Sequence, residues 1–251
     1  MLYILIFLIG LIFGSFASAL SYRYVTDQSM KGRSKCPFCK KSLGVLDLIP
    51  LVSFILSAGK CRHCKKKIPI RYPSQELIMG LLFMLNHYLN GLSVISVLLY
   101  VLLFALIVIS ITDLMAYYVP DQMILLFLVV GVLYAFAFGF PLIHIIIMPL
   151  LIGFIAFLLK YACLIFFKKH GLGMGDVKIF IISGLYLQVE SISAFLLLSG
   201  LFGVLMSIIW RASGKKVKRF PFAPAIAAAL VLCILFPNQT QIVNYFVLKM
   251  Y

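Results

Sequence analysis

The chain is dominated by continuous apolar runs of the length that crosses a lipid bilayer, separated by basic loops. A membrane-spanning helix needs about 20 apolar residues. Of the 251 residues, 64% are hydrophobic and only 12% are charged, whereas a soluble domain carries about 25% charged residues. The runs do not alternate with polar residues, which excludes a transmembrane β-barrel as well as a soluble globule. The sequence therefore predicts an all-α polytopic membrane protein.

About eight transmembrane helices are predicted from these runs. Their predicted spans are 2–20, 74–90, 92–112, 122–139, 143–167, 177–188, 191–210 and 223–236. The tail 242–251 is apolar but too short to span. We divide the chain into a first transmembrane helix (1–20), a cytoplasmic loop (21–73) and a membrane-embedded bundle (74–251).

Positive charge is concentrated in alternate loops. The chain has 22 Lys and Arg residues against 7 Asp and Glu, and most of the basic residues lie between Arg23 and Arg71 or in the loops near 168 and 215. The intervening loops near 90, 140 and 189 have none. Since basic loops stay in the cytoplasm, the N-terminus is predicted to be outside. The same rule accounts for the net charge of +15, so the charge does not indicate a nucleic-acid partner. Ala17-Ser18-Ala19 resembles a cleavage site, but no basic residue precedes the run, which favours an uncleaved anchor.

The first basic loop contains two CxxC pairs, a pattern typical of a zinc site. The four cysteines are Cys36, Cys39, Cys61 and Cys64. Two such pairs supply four thiolates to one tetrahedral zinc ion. Disulfides or reactive pairs are the alternative, which a reducing cytoplasm disfavours. His63 is interpreted as a bystander, and Cys163 and Cys233, in apolar helices, as packing residues.

Three of the seven acidic residues lie at predicted cytoplasmic helix ends. Asp121 follows Pro120 and precedes an apolar run, so we interpret it as a helix N-cap. Asp176 can also cap its helix, but the alternating glycines before it are not needed for a cap and would admit an extended peptide. Asp113 is at a helix C-terminus, where the macrodipole disfavours an anion. An acid at a membrane helix is a functional hypothesis by default.

Asp113 and Asp176 are therefore the candidate acid–base pair. If the two carboxyl groups lie a few ångströms apart, they share one proton. The ionised member takes a proton from water, and the protonated member donates one to the leaving amide nitrogen. The sequence contains no GxSxG or HExxH motif that would compete.

Taken together, these motifs resemble the type IV prepilin peptidase family, membrane aspartic proteases of the GxGD type. The resemblance extends over about residues 10–225. It rests on Gly14-Ser15-Phe16 with Arg23, the cysteine-bearing segment from Cys36 to Glu76, Asp113 through Pro120-Asp121, GLGMGDVK from Gly171 to Lys178, and RFPFAP from Arg219 to Pro224.

The resemblance implies that Asp113 and Asp176 are the catalytic pair. Gly173, Gly175, Lys178 and Asp121 are then supporting residues. It also implies the substrates: type IV prepilins or pilin-like precursors of secretion and competence systems, cut after a glycine at the cytoplasmic face of the bacterial inner membrane.

Many family members also methylate the new N-terminal amine with S-adenosylmethionine, so the resemblance extends to this cofactor. The sequence has no soluble methyltransferase fingerprint, and the activity would have to use the cytoplasmic loop and the membrane face. Two positions depart from the family pattern: Ser18, where the family often has Asn, and Ala223, where PFGPF is usual for the segment Pro221 to Ala225. Neither affects the catalytic pair.

Two other classes of function remain open from the residues. A proton-coupled transporter uses intramembrane aspartates as a relay, but these acids are at helix ends and no inverted repeat is evident. A zinc-bearing membrane scaffold would use the basic loop to bind anionic lipid or nucleic acid, but topology already accounts for the basic residues.

Overall fold

The computed structural model describes residues 1–167, 172–212 and 220–237, except for the side chains of Cys163, Phe166 and Phe167. The described chain is helical, with two isolated β-bridges in the first basic loop and no strand. Its helices are α1 (Leu2–Val25), α2 (Val52–Leu56), α3 (Arg71–Asn90), α4 (Val94–Ala116), α5 (Asp121–Phe138), α6 (Leu142–Phe167), α7 (Met174–Ser183), α8 (Ile192–Ala212) and α9 (Ala223–Leu235).

Each predicted run corresponds to one long or medium-length helix. In a bilayer every backbone N–H and C=O must be bonded within the segment, so a continuous apolar run forms a helix. Five described helical segments are long and apolar enough to cross a membrane. They are Leu2–Val25, Val94–Ala116, Asp121–Phe138, Leu142–Ala162 and Val189–Ala212. By the same measure, α3, α7 and α9 do not qualify, and the predicted tail 242–251 is outside the described residues.

The chain divides into two compact units, which we call unit 1 (Met1–Thr112) and unit 2 (Asp113–Tyr251). Unit 1 contains α1, the basic loop with α2, α3 and most of α4. Unit 2 contains the last turn of α4 and the described helices from α5 to α9.

In unit 1, α1 and α3 touch backbone to backbone along a seam of glycines. A Cβ atom added to Gly10 would be 2.7 Å from the Cα of Gly80, and one added to Gly14 would be 2.7 Å from the Cα of Glu76. Small residues four apart allow two helices in a membrane to approach this closely. The seam places the first turns of α3, and with them Glu76, directly against α1.

In unit 2, the short helix α7 is surrounded by longer ones. Val177, Ile179 and Phe180 are buried, and α7 packs on α5, α6 and α9. Close contact with α6 is made just beyond the helix, where a Cβ on Gly184 would meet the backbone of Met148 and Pro149 at 2.7 Å. Many large apolar side chains of α5, α6 and α8 are exposed, as expected of helix faces that contact lipid.

Candidate active site and metal site

Asp113 is held at the N-terminus of another helix. It lies in the last turn of α4 and is only 6% exposed. Its Oδ2 accepts a hydrogen bond from the backbone N–H of Ala223 at 3.0 Å, and the N–H of Phe222 also donates to the carboxylate. These are unpaired donors at the start of α9, where the helix dipole favours an anion. The sequence interpretation that Asp113 has no capping role was therefore wrong: it caps α9 across 110 residues of chain.

Asp176 closes the first turn of its own helix. It is the third residue of α7, and its Oδ2 accepts the backbone N–H of Gly173 at 3.1 Å. The capping role considered for Asp176 is thus confirmed. Only one carboxylate oxygen makes this bond, so the cap leaves the other available for chemistry.

The structure brings Asp113 and Asp176 close enough to interact electrostatically. Burial, and after it the negative charge of Asp113, raise the pKa of Asp176 to about 7, although the hydrogen bond from Gly173 opposes the shift. Two carboxyl groups in this relation titrate as a pair and hold one proton between them near neutral pH. The electrostatic effect of Asp113 on Asp176 supports the predicted pairing of the two acids, which stays a prediction.

Asp121 has a different role from the one predicted. It is the first residue of α5, Pro120 occupies the N-cap position, and no side-chain cap is formed. The Oδ1 of Asp121 instead accepts a hydrogen bond from Lys178 Nζ at 2.8 Å. Both side chains are exposed, 79% for Asp121 and 49% for Lys178. The prediction that Asp121 is the N-cap was therefore wrong: Pro120 occupies that position, and the carboxylate of Asp121 bonds Lys178 on α7.

The two glycines of the motif before Asp176 pack in different ways. A Cβ on Gly175 would be 2.8 Å from Cγ2 of Val119, so the space beside it is filled by the α4–α5 loop. Of the two roles expected of the motif glycines, close approach of chain segments or space for an extended peptide, this contact supports the first for Gly175, and the second stays a prediction. A Cβ on Gly173 would be 3.1 Å from Oδ2 of Asp176. Gly173 thus leaves room for the carboxylate that its N–H holds.

The loop after Asp113 is fixed by an aromatic pair. Tyr117 has φ +53°, in the left-handed region that costs a non-glycine residue about 1–3 kcal/mol. Its N–H bonds the carbonyl of Asp113 at 2.9 Å, and its hydroxyl accepts a hydrogen bond from Trp210 Nε1 at 3.3 Å. These contacts turn the chain immediately after Asp113 toward Val119, which packs on Gly175.

The arrangement is suited to acid–base chemistry on one substrate group. Asp113 accepts hydrogen bonds from two backbone N–H groups, and Asp176, whose pKa is raised to about 7, accepts one, so the two carboxyl groups can serve as proton acceptor and proton donor near neutral pH. No sulfur or imidazole nucleophile accompanies the pair in the interactions of the described residues.

The second candidate site is the cluster of Cys36, Cys39, Cys61 and Cys64 in unit 1. The four Sγ atoms all lie within 4.8 Å of one another, and those of Cys36 and Cys64 are 4.0 Å apart. Zn–S bonds of about 2.3 Å place the sulfurs of a tetrahedral site about 3.8 Å apart. The four thiols therefore fit a metal ion, and His63 is not among these ligand atoms.

The two CxxC pairs share one backbone fold. In the first, the N–H of Lys40 bonds the carbonyl of Cys36 at 2.9 Å, and Lys40 has φ +60°. In the second, the N–H of Lys65 bonds the carbonyl of Cys61 at 2.9 Å, and Lys65 has φ +56°. Each pair is closed by a β-bridge, Lys35 with Ser42 and Lys60 with Lys67. In the second pair, backbone N–H groups of His63 and Cys64 are directed at the sulfur of Cys61, and that of Lys66 at the sulfur of Cys64.

These N–H groups shift the protonation of the thiols. Backbone donors at Cys64 and His63 lower the pKa of Cys61 to about 7. The pKa of Cys64 rises to about 11, because partial burial and the three other sulfurs outweigh the backbone N–H of Lys66 that lowers it. Crowded thiols cannot all ionise without a cation, and a divalent metal supplies that charge.

Comparison with known proteins identifies the family of the chain. The family model described as Bacterial Peptidase A24 N-terminal domain matches residues 8–89, and the model described as Type IV leader peptidase family matches residues 100–208. A prepilin leader peptidase/N-methyltransferase of Bacillus subtilis (strain 168) is 31% identical over 252 residues, which cover 97% of each chain. The chain belongs to the type IV leader peptidase family.

Two other relatives in this family have similar identity. A prepilin leader peptidase/N-methyltransferase of Neisseria gonorrhoeae is 31% identical over 80% of this chain and 70% of its own length. A type 4 prepilin-like proteins leader peptide-processing enzyme of Escherichia coli O78:H11 is 30% identical over 87% of this chain and 88% of its own length. No solved structure matches the chain.

Sequence reasoning missed three participants in the two sites. Phe222 and Ala223 donate to Asp113, so the expectation that the departure at Ala223 does not affect the catalytic pair was wrong. The available signal was Pro224, since proline in the first turn marks a helix start with free N–H groups. Glu76 was assigned only to the exit of the basic loop, yet it is 9% exposed and faces the loop from α3. Cys233 is buried, as predicted for a packing residue, whereas the side chain of Cys163 lies outside the described part.

Proposed function

We propose that this protein removes the leader peptide from type IV prepilins or prepilin-like precursors by aspartic proteolysis. The observation that carries the proposal is the pair formed by Asp113 and Asp176, two acids 63 positions apart in the sequence that are close enough for one to raise the pKa of the other. The names printed for three relatives, two leader peptidases and one leader peptide-processing enzyme, support the same reaction.

The two acids have different roles in the proposed mechanism. Asp113 accepts the backbone N–H groups of Phe222 and Ala223 at the start of α9, and we assign it as the group that takes a proton from the attacking water. Asp176 has a pKa of about 7 and is protonated at neutral and lower pH, so it donates its proton to the leaving amide nitrogen. The pair then holds the one proton taken from water, and the cycle is complete.

The supporting residues position this pair. Gly173 gives Asp176 its N–H and the space for its carboxylate. Gly175 lets α7 contact Val119 of the loop that follows Asp113. The ion pair of Lys178 with Asp121 joins the starts of α7 and α5.

The membrane arrangement belongs to the same proposal. We place about eight helices in the bacterial inner membrane, with α3, α7 and α9 completing the five apolar spans and the N-terminus outside. The loops 21–73, 113–121, 168–176 and 211–222 then face the cytoplasm, where a precursor's basic leader meets its apolar helix. Cysteines introduced near 90 and 140 should react with a membrane-impermeant reagent in intact cells, and those near 170 and 213 only after the membrane is opened.

Zinc is the metal we propose for the four cysteines. Four thiolates in a closed tetrahedral set are characteristic of structural zinc, which has no open position for substrate. The cluster then fixes the fold of loop 21–73 and takes no part in peptide hydrolysis.

Methylation of the new N-terminal amine by S-adenosylmethionine is the second proposed activity. The printed names of relatives from Bacillus subtilis and Neisseria gonorrhoeae include N-methyltransferase. The cofactor supplies an activated methyl group, and the protein must bind it and accept a proton from the amine.

The proposed dyad is tested by Asp113→Asn and Asp176→Asn in purified enzyme with a precursor substrate. Asparagine keeps the size and the hydrogen-bond acceptor of each side chain but cannot transfer the shared proton. Each variant should lose cleavage by at least about 10⁴-fold, and the double variant should be no worse, because residues that act as one unit are not additive.

Asp121→Asn is the matched control, since it makes the same change at an exposed acid near the dyad. It should cleave within a few-fold of the wild type. All variants must reach similar levels in the membrane and unfold at similar temperatures. Wild-type cleavage by either dyad variant would contradict the aspartic mechanism.

A further inference from the structure

The basic loop of unit 1 exposes a group of large apolar side chains that the two cysteine turns do not use. This group, which we call the loop patch, consists of five residues between 46% and 81% exposed: Val45, Leu46, Val52, Ile55 and Leu56. The 3₁₀ turn Val45–Asp47 packs against α2, so the five residues belong to one local structure. Single exposed apolar residues are ordinary, but a group of them marks an interaction surface.

The helix α2 presents two different sides. Ser53 and Phe54, together with Ser57 at its C-terminal end, line a cavity of about 400 Å³ between the loop and α1. The three loop-patch residues of α2 are spaced three and four positions apart, so they share the opposite face of the helix. The side of α2 that faces away from the cavity is therefore the side that is left exposed.

A hydrogen bond places α2 beside the start of α3. The N–H of Leu51, immediately before α2, donates to Oε2 of Glu76 at 2.8 Å. Glu76 is in the second turn of α3 and within the predicted span 74–90. Leu77 and Ile78 follow it and are exposed, as expected of side chains that contact lipid. With α3 in the membrane, as proposed above, the loop patch lies near the depth of the membrane–water interface.

The contact between α2 and α3 is fixed from both sides. Leu51 has φ +59°, in the left-handed region that non-glycine residues rarely adopt. Such a conformation persists where the surrounding structure holds it. Glu76 is in turn held against α1, since a Cβ on Gly14 would be 2.7 Å from its Cα. The position of α2 is thus set by the helix pair.

Basic residues flank the loop patch on both sides in the sequence. Five of them are exposed and have no Asp or Glu within ion-pair distance in the described chain: Lys40, Lys41, Lys60, Lys65 and Lys67. Between positions 21 and 73 there are 12 Lys and Arg against two acids, and one of these acids, Asp47, already pairs with Arg62. Topology accounts for basic residues in a cytoplasmic loop, but it does not account for exposed apolar side chains among them.

The charge of the loop decides which partner suits this apolar surface. In the proposed reaction a precursor brings a basic leader to the cytoplasmic loops, and a second copy of this chain would bring the same basic loop. Like charge repels both. The cytoplasmic surface of a membrane is anionic and has acyl chains just below its headgroups, so it complements the lysines and the apolar side chains together.

We propose that the loop patch inserts between the headgroups of the cytoplasmic leaflet and that the flanking lysines bind anionic phospholipids there. The apolar side chains enter the boundary between headgroups and acyl chains, and the long lysine side chains place their ammonium groups at the level of the phosphates. The proposal rests on the topology proposed above and is independent of the two acids that carry out proteolysis.

The test uses the full-length protein in nanodiscs of phosphatidylcholine, with or without about 30% phosphatidylglycerol as the anionic lipid. Leu56 is replaced by the photocrosslinking residue p-benzoylphenylalanine, and lipid adducts are identified by mass spectrometry after irradiation. The control probe replaces Phe38, an exposed ring in the first cysteine turn. The Nζ of Lys66 lies 4.9 Å from the centre of that ring, so the ring has a polar environment. Parallel samples contain a precursor.

A pair of charge variants tests the lysines. Lys40→Gln with Lys41→Gln removes two positive charges beside the loop patch, and Lys40→Arg with Lys41→Arg is the matched control that keeps them. The unfolding temperature and the cleavage of a precursor are measured for every protein, so that a loss of fold is not taken for a loss of lipid binding.

The Leu56 probe should form lipid adducts at least about fivefold more often than the Phe38 probe, because it lies among acyl chains. Its adducts should contain phosphatidylglycerol at least about threefold above the share of that lipid in the nanodisc. The glutamine variant should lose about half of this enrichment or more, whereas the arginine variant should retain it. Salt at about 0.5 M should also lower the enrichment, because it screens exposed charges.

Equal lipid adducts from the two probes, or adducts in proportion to the lipid composition, would overturn the proposal. Crosslinks from Leu56 to the precursor or to a second copy of the chain, in place of lipid, would overturn it as well. Full enrichment in the glutamine variant would overturn the part assigned to the lysines. Lipid adducts are read without cleavage, so each of these outcomes leaves the proteolytic function standing. A protein that forms the lipid adducts but removes no leader would contradict proteolysis alone.

Discussion

The two units hold their polar groups in place by different means. In unit 2, both acids are held by the ends of helices: Asp113 by the N–H groups at the start of α9 and Asp176 by the start of α7. In unit 1, the cysteines are on a loop between α1 and α3 whose regular structure is limited to the short helix α2, one 3₁₀ turn and two β-bridges. A helix end is rigid without any ligand, whereas a loop of this length needs a cross-link.

The comparison separates the two proposed activities. Proteolysis depends on helix packing, because α7 and α9 must be correctly placed for the acids to meet. A methyl-transfer site on the loop would instead depend on the fold of the two cysteine turns, whose four thiols lie within 4.8 Å of one another. Changes that loosen the loop should therefore affect unit 1 first, and changes at helix contacts should affect unit 2 first.

The largest effect is expected on removing the metal. The wild type should contain about one zinc per chain, and Cys36→Ser with Cys39→Ser should contain none, since two thiolates cannot close the tetrahedral site. Cofactor binding in unit 1 should fall at least tenfold, whereas cleavage should fall less. Elemental analysis, binding of tritiated S-adenosylmethionine and precursor cleavage measure the three quantities.

Cys233→Ala is the control for this experiment, because Cys233 is a buried thiol of α9 outside the cluster. It should retain the zinc. If the wild-type enzyme were active without metal, the loop would fold without a metal cross-link. The two units would then not differ in their need for a ligand.

A large effect of pH is expected on unit 2. Asp176 must be protonated to donate, and its pKa is raised to about 7 by burial and by Asp113. As pH rises through 7 the proton is lost, so kcat/KM for cleavage should fall about tenfold per pH unit above that value. Cleavage of a precursor by purified enzyme between pH 5 and 9 measures this profile, with unfolding temperatures recorded at each pH.

Cofactor binding to unit 1, measured over the same pH range, shows whether the decline is specific to the dyad. A rate that stays constant from pH 6 to 9 would be incompatible with Asp176 as the proton donor.

Substitution of the motif glycines should have an intermediate effect and distinguish their roles. Gly175→Ala forces a methyl group against Val119, and overpacking of this kind costs about 1–3 kcal/mol. We expect a lower unfolding temperature together with reduced cleavage. Gly173→Ala crowds only the carboxylate of Asp176, so it should reduce cleavage with little change in stability.

Val119→Ala tests the explanation for Gly175. Combined with Gly175→Ala, it removes the obstructing side-chain atoms and should restore part of the lost stability. If the double variant is no more stable than Gly175→Ala alone, the contact with Val119 is not the cause.

The smallest effect is expected at the exposed ion pair. Lys178→Gln or Asp121→Asn breaks a contact of 2.8 Å between exposed side chains, and such pairs contribute about 0–1 kcal/mol. Cleavage should change by less than about fivefold, and the two substitutions together should cost no more than either alone. If Lys178→Gln reduced cleavage nearly as much as Asp176→Asn, Lys178 would have to act together with the two aspartates.

Sequence patterns predicted the helices and the cysteine turns, which depend on neighbouring residues. They did not predict contacts between residues that are far apart in the chain. Apolar runs predicted the helices well, because an apolar run in a bilayer has no alternative to a helix. The two CxxC pairs predicted the cluster of four cysteines, because each pair is formed by residues three positions apart within one turn. The partner of Asp121 was missed because Lys178 is 57 positions away, and nothing in a linear pattern specifies that pairing. Glu76 was missed for the same reason, since its environment is formed by α1 and Leu51.

The seam of glycines between α1 and α3 has a consequence for biogenesis. Both helices are complete by Asn90, before Asp113 has been synthesised. Because Gly10, Gly14 and Gly80 let them associate through their own backbones, the pair can form in the membrane while the ribosome is still translating the protease half. An early pairing of this kind shortens the time for which the nascent amino-terminal helix is exposed to membrane quality control.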